Sequence, residues 1–141
     1  MFHMAWRSHQ RFGMTTVLIV DDEPNIVQLV RITLADSRVR VLEAADGETA
    51  FDRAMSLQPD LIFLDVDLPD VSGLEVCRRI REEERLANTK VVMLTAAAQR
   101  DDVARGLAAG ADLYLTKPFS PVRLLSLVEQ LIPHSVRWQP E

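Results

Sequence analysis

At 141 residues, with 48% apolar, 26% charged and 6% aromatic side chains, the chain has the size and composition of one soluble domain with one substantial core. Sixteen basic against 21 acidic residues leave a formal charge of -5, which argues against a nucleic-acid-binding domain, whose affinity comes from cations meeting phosphates. The lone Cys77 cannot close an internal disulfide, no Cys/His cluster suggests a structural metal, and no apolar run reaches the roughly 18 residues of a membrane span. Together with the lack of a secretory leader, these features predict a reduced, cytoplasmic protein that binds no membrane.

The chain divides into an N-terminal extension (1–14), a domain (15–132) and a short tail (133–141). The extension carries Arg7 and Arg11 but no acid, and its His3 and His9 have no partner cluster. From Thr15 onward, short apolar runs alternate with longer amphipathic ones. Thr16–Val20 reads as a strand buried on both faces. Pro24 suits the first turn of a helix whose inward stripe is Ile26, Leu29, Val30 and Thr33. Val39–Glu43 is a second strand, and Asp46 caps a helix through Met55 with Ala50, Phe51 and Ala54 inward. Asp60–Asp65 is a third strand. Ser72 and Glu75 have capping-box spacing for a helix from Gly73 to Glu84, with Leu74, Cys77 and Ile80 on one face. Cys77 is therefore expected in the core rather than as a reactive thiol. Lys90–Thr95 is a fourth strand, Arg100–Ala109 a helix, and Asp112–Thr116 a fifth strand. Ser120 caps a last helix, with Pro121 at its first position, that runs to about Ile132. The tail beyond Pro133 is too short for another domain.

Five buried strands alternating with five helices imply a parallel sheet covered on both sides, a doubly wound three-layer α/β/α sandwich. In such sheets ligands bind beyond the carboxyl ends of the strands. There the chain places Asp21 and Asp22 after the first strand, Asp65 at the third, Thr95 at the fourth and Lys117 after the fifth. Clustered carboxylates repel unless a cation joins them, and oxygen ligands suit Mg2+. A carboxylate beside such a metal can attack phosphorus, while a lysine and a hydroxyl neutralise the transferring phosphoryl oxygens.

The stretches VLIVDDEP, DLIFLDVDLPDVSG, VVMLTA and GADLYLTKPFSP resemble a two-component response-regulator receiver domain, from about Thr15 to Ile132. The resemblance implies the flavodoxin-like strand order 2-1-3-4-5. It implies Asp65 as phosphoacceptor, with Mg2+ or Mn2+ held by Asp21, Asp22, Asp65 and the backbone carbonyl of Asp67. Thr95 would bond the phosphoryl group, Lys117 would pair with it, and a cis peptide would precede Pro118. Thr95 and Tyr114, the only tyrosine, would form the conformational switch. The implied partners are a histidine kinase or phosphotransfer protein upstream and a protein target or second copy downstream. The downstream contact would use the face of the fourth helix, fifth strand and fifth helix. Leu113 and Leu127 stand where the transcription-factor subgroup carries charged residues, and Asp67 is acidic where many receivers are not.

Two other readings compete. Asp65-Val-Asp67 after an apolar strand resembles the nucleophile motif of haloacid-dehalogenase-type phosphatases, although Pro69 departs from that motif. A degenerate receiver could serve as an interaction scaffold, whereas a GTPase is excluded by the absence of a GxxxxGK[ST] loop. In the last helix, Leu124, Val128 and Leu131 form the expected buried stripe. Leu125, Ile132 and above all Leu127 are expected outside it, as an apolar contact strip or a strip covered by the tail through Trp138.

Overall fold

A computed structural model describes residues 15–35, 37–96 and 100–133. The extension 1–14 and the tail from 134, with Trp138, lie outside the described residues. The elements run β1 (Thr15–Val20), α1 (Pro24–Thr33), β2 (Val39–Ala44), α2 (Gly47–Leu57), β3 (Leu61–Asp65), α3 (Gly73–Glu82), β4 (Lys90–Ala96), α4 (Arg100–Ala108), β5 (Leu113–Lys117) and α5 (Pro121–Leu131). The strands pair in parallel in the order β2-β1-β3-β4-β5, the doubly wound arrangement expected from the alternation of elements.

Strand periodicity divides the core in two. Leu18 and Val20 of β1, Ile62 and Leu64 of β3, and Val91 and Met93 of β4 face one layer, packed by Ala50, Ala54, Val76, Cys77 and Ile80. Val17 and Ile19, Leu61 and Phe63, and Val92 and Leu94 face the other, packed by Val27, Val30, Leu34, Leu124, Leu127 and Val128. The central strands are apolar at nearly every position because both faces are covered. Cys77 is buried, and desolvation raises its thiol pKa to about 11, which leaves it a packing residue.

The helix starts follow local chemistry. Asp46 Oδ1 accepts from Thr49 N at 2.8 Å, Ser72 Oγ from Leu74 N at 3.0 Å, and Ser120 Oγ from Arg123 N at 3.1 Å. Pro24 and Pro121 occupy first-turn positions, where a missing N–H costs nothing. Glu75, expected to close a capping box, pairs instead with Arg78 one turn on. The α3 helix ends at Glu82, and a 3-10 turn, Glu84–Leu86, takes over.

Two helix faces differ from expectation. In α1 the buried residues are Val27 and Val30, continued by Leu34 just past its end, whereas Ile26, Leu29 and Thr33 are only partly covered. In α5 Leu127 is 1% exposed and belongs to the core with Leu124 and Val128. Three residues beyond Leu124 is about 60° around the helix, inside a stripe more than about 100° wide, so Leu127 is no outer contact residue. Leu125 and Ile132 flank that stripe and are partly buried against it.

Candidate functional site

The strand order reverses between β1 and β3, and the carboxyl ends of those strands flank the crevice this creates. Periodicity then chooses which side chains meet there. Asp21 continues the Val17, Ile19 series, Asp65 the Leu61, Phe63 series, and Lys117 the Leu113, Leu115 series, all on the α1/α5 face. Carboxylate oxygens of Asp21, Asp22 and Asp65 lie within 4.8 Å of one another. Lys117 Nζ lies 2.8 Å from Asp21 Oδ2, 2.9 Å from Glu23 Oε1 and 3.2 Å from Asp65 Oδ2. The Lys117–Pro118 peptide is cis.

Asp21 and Asp65 are buried, and Asp22 is exposed. Burial, then the neighbouring Asp21 charge, raises the Asp65 pKa to about 6, against the opposing pull of Lys117. Burial also works against the Lys117 charge, but the Asp21 and Glu23 carboxylates and the Asp65 charge outweigh it and raise the ammonium pKa. Lys117 is thus a fixed cation in an acidic crevice.

Asp65 Oδ1 accepts from Asp67 N at 3.2 Å, which ties the start of the following loop to the acceptor side chain. Thr95 lies one residue beyond Leu94, the register partner of Asp65, and among the described residues its buried hydroxyl makes one long bond, 3.4 Å to the Ala96 carbonyl. Tyr114 pairs in register with Met93 and is 40% exposed. It borders an open cleft of about 470 Å3 with Pro118, Phe119 and Arg123. Asp67 is exposed.

The donor set fits a hard divalent cation. Three carboxylates converge, and Asp21 Oδ2 is buried with the Lys117 ammonium beside it but, among the described residues, accepts no hydrogen bond of good geometry.

The receiver-domain model of response regulators matches residues 17–129. The chain belongs to the response-regulator receiver family. It is 45% identical over 124 residues to the DNA-binding dual master transcriptional regulator RpaA of Synechocystis, covering 88% of this chain and 52% of that protein. It is 42% identical over 119 residues to the alkaline phosphatase synthesis transcriptional regulatory protein PhoP of Bacillus subtilis, covering 84% and 49%. The chain spans about half the length of these curated relatives. Among solved structures, the chemotaxis response regulator CheY4 of Vibrio cholerae superposes with a TM-score of 0.79 at 35% identity, covering 85% of this chain and 100% of that one. The receiver domain of sensor histidine kinase PA1611 from Pseudomonas aeruginosa, with magnesium coordinated in its active-site cleft, gives 0.78 at 30% identity, covering 86% and 99%.

The domain is therefore a phosphorylation-dependent signalling module of the two-component type. Receivers bind Mg2+ at an acidic site and work with histidine kinases. These similarities give no support to the phosphatase alternative. Among the described residues, no helix is long and apolar enough to cross a membrane.

Two residues near the site escaped the sequence reading. Glu23 holds Lys117 across 94 residues of chain, and Asp70 accepts from the backbone at the start of α2. The first was legible only as a third acid after Asp21-Asp22. The second was one more acid in a loop.

Proposed function

We propose that Asp65 is the phosphoacceptor of this receiver, with Asp21, Asp22, Asp65 and the backbone carbonyl of Asp67 as the Mg2+ ligands. The observation that carries the reading is Lys117 bridging Asp21 and Asp65 inside a cluster of carboxylates at the strand ends. When bound, the cation supplies positive charge for the transferring phosphoryl oxygens and holds Asp65 as the carboxylate.

The chain's own residues supply the rest. Asp65 attacks the phosphorus of a phosphohistidine on a histidine kinase or phosphotransfer protein. The new bond is P–O and the broken bond is P–N; the imidazole leaves and takes up a proton. Lys117 exchanges one of its carboxylate contacts for a phosphoryl oxygen. The Thr95 hydroxyl, whose bond to the Ala96 carbonyl is long at 3.4 Å, is available to a second phosphoryl oxygen. No further base is required, so catalysis is positioning and electrostatics. Self-catalysed transfer from small donors and slow self-hydrolysis of the aspartyl phosphate follow from the same groups.

Movement of Thr95 toward the phosphoryl group leaves room on the α4 face of the sheet for Tyr114. That change alters the α4–β5–α5 surface toward a downstream protein or a second copy. The domain itself makes no nucleic-acid contact in this scheme, in keeping with its net charge.

Intact mass after acetyl phosphate and Mg2+ tests the assignment. Wild type and Asp60→Asn gain one phosphoryl group, because Asn still offers an acceptor to Thr16 N, which Asp60 bonds at 2.8 Å. Asp65→Asn and chelated samples gain none. Labelling of Asp65→Asn would refute the assignment.

A further inference from the structure

The loop after the acceptor strand is fastened at three points. Asp67 N donates to Asp65 Oδ1 at 3.2 Å, and Gly73 N donates to the Val66 carbonyl at 2.8 Å. Between them, the Asp70 carboxylate reaches out of the loop to α2, Oδ1 accepting from Gly47 N at 2.7 Å and Oδ2 from Glu48 N at 2.9 Å. Asp46 already satisfies Thr49 N at the same helix end. Two aspartates thus share the unpaired donors of one helix start, one local and one from 23 residues away. The two amide donors lower the Asp70 pKa to about 2, so the clamp carries its full charge at neutral pH.

Packing closes the same joint. A Cβ on Gly47 would meet Val71 Cγ2 at 2.3 Å and Val76 Cγ2 at 3.0 Å, so glycine lets the loop seat directly on the helix start. A Cβ on Gly73 would meet the Asp65 carbonyl oxygen at 2.0 Å, so the far end of the loop rests on the acceptor's own backbone. The loop is thus held to the acceptor strand at both ends and to α2 through Asp70 between them.

We infer that Asp70 is a positioning residue for the cation site: by tying the loop 66–72 to the N-terminus of α2, it holds the Asp67 backbone against Asp65. The inference rests on the reading of the Asp67 carbonyl as a ligand. Outer groups that orient ligands typically contribute about 10- to 100-fold to metal affinity. Helix capping alone predicts no difference from Asp46, which caps the same helix through Thr49 N.

Calorimetric titration with MgCl2, without phosphodonor, separates these roles in wild type, Asp70→Ala, Asp70→Asn, Asp46→Ala and Asp22→Ala. Amide exchange of residues 66–73 is followed in parallel. Asp70→Ala is expected to weaken Mg2+ binding about 10-fold or more and to speed exchange in the loop. Asp70→Asn, which keeps one acceptor, falls between Asp70→Ala and wild type and serves as the informative variant if Asp70→Ala does not fold. Asp46→Ala lowers the melting temperature but binds Mg2+ as wild type does. If Asp22→Ala loses binding while both Asp70 variants retain wild-type affinity, the cation site stands and the positioning role is overturned. Equal weakening by Asp46→Ala and Asp70→Ala also overturns it, because the effect then belongs to the cap. Unchanged binding in Asp22→Ala refutes the cation site itself, and the positioning role with it.

Discussion

Strand parity sorts the residues at the carboxyl edge of the sheet into two sets. Asp21, Asp65 and Lys117 lie on the α1/α5 face, where charge contacts of 2.8 to 3.2 Å bind them together. Thr95 and Tyr114 lie on the opposite face with Met93 and α4, and they are held far more lightly. Among the described residues the Thr95 hydroxyl has one bond, a long one, and the Tyr114 ring is 40% exposed. Groups that receive a phosphoryl must already be in place when it arrives, whereas groups that report it must be able to move. One pleated edge serves both needs because adjacent positions on a strand point to opposite faces.

The largest effects come from breaking the core beneath the first set. Leu127 packs there, so Leu127→Glu buries an unpaired charge and should cost more than about 4 kcal/mol, a large share of a domain's stability. Leu107→Glu, on the other face and 46% exposed, should shift stability by no more than about 0.5 kcal/mol. Urea titrations of the two variants measure the contrast. Next in size is Gly73→Ala. Its methyl group would force the Asp65 backbone to move, at a cost of about 1–3 kcal/mol, and labelling by acetyl phosphate should fall by about tenfold or more.

Thr95→Ala should break the second set and spare the first. The variant still takes up phosphate on Asp65, but beryllofluoride no longer shifts the Tyr114 ring resonances, which are unambiguous in a chain with one tyrosine. A ring that responds as in wild type would show that the two faces are coupled by another route.

The two sets were not equally legible in the sequence. The acidic set was, because β1 and β3 carry unbroken apolar runs and the acids that close them mark the edge of the sheet. VLIVDD and LIFLD carry that signal without ambiguity. Parity, and hence the division into two faces, followed once the register was known. The place of Leu127 is hidden by helix phase: with apolar residues at 122, 124, 125, 127, 128, 131 and 132, several stripes compete, and only packing against α1 and the sheet selects one. Glu23 and Asp70 act through long-range contacts. Nothing local to an exposed acid says that it will meet Lys117 or the start of another helix.

A smaller effect tests how firmly the acceptor loop is tied. Asp70 has a lowered folded pKa, so its bonds to α2 contribute stability above its unfolded pKa near 4, and that contribution disappears as pH falls toward about 2. The melting temperature of wild type minus that of Asp70→Asn should therefore be constant from pH 7 to 5 and shrink between about pH 4 and pH 2. A difference that stays constant through that window would mean that the carboxylate charge plays no part.

The smallest expected effect concerns Asp67, which borders both sets without belonging to either. Its N–H is committed to Asp65, but its side chain is exposed. Hydrolysis of an aspartyl phosphate needs a water in line with the acyl-phosphate bond. A carboxylate two residues beyond the acceptor can accept a proton from such a water. A well-positioned general base contributes about 100-fold or more, but positioning requires bonds that fix the side chain. An exposed carboxylate on a loop held through its backbone should give much less, about threefold. Asp67→Asn should therefore slow loss of phosphate by roughly that factor and leave the rate of labelling unchanged, as measured by mass after the donor is removed. Equal rates would make Asp67 a solvated surface acid. Slowing by about 100-fold would mean that phosphorylation itself orders the side chain, and the light hold on moving groups would then extend to the acceptor side of the edge.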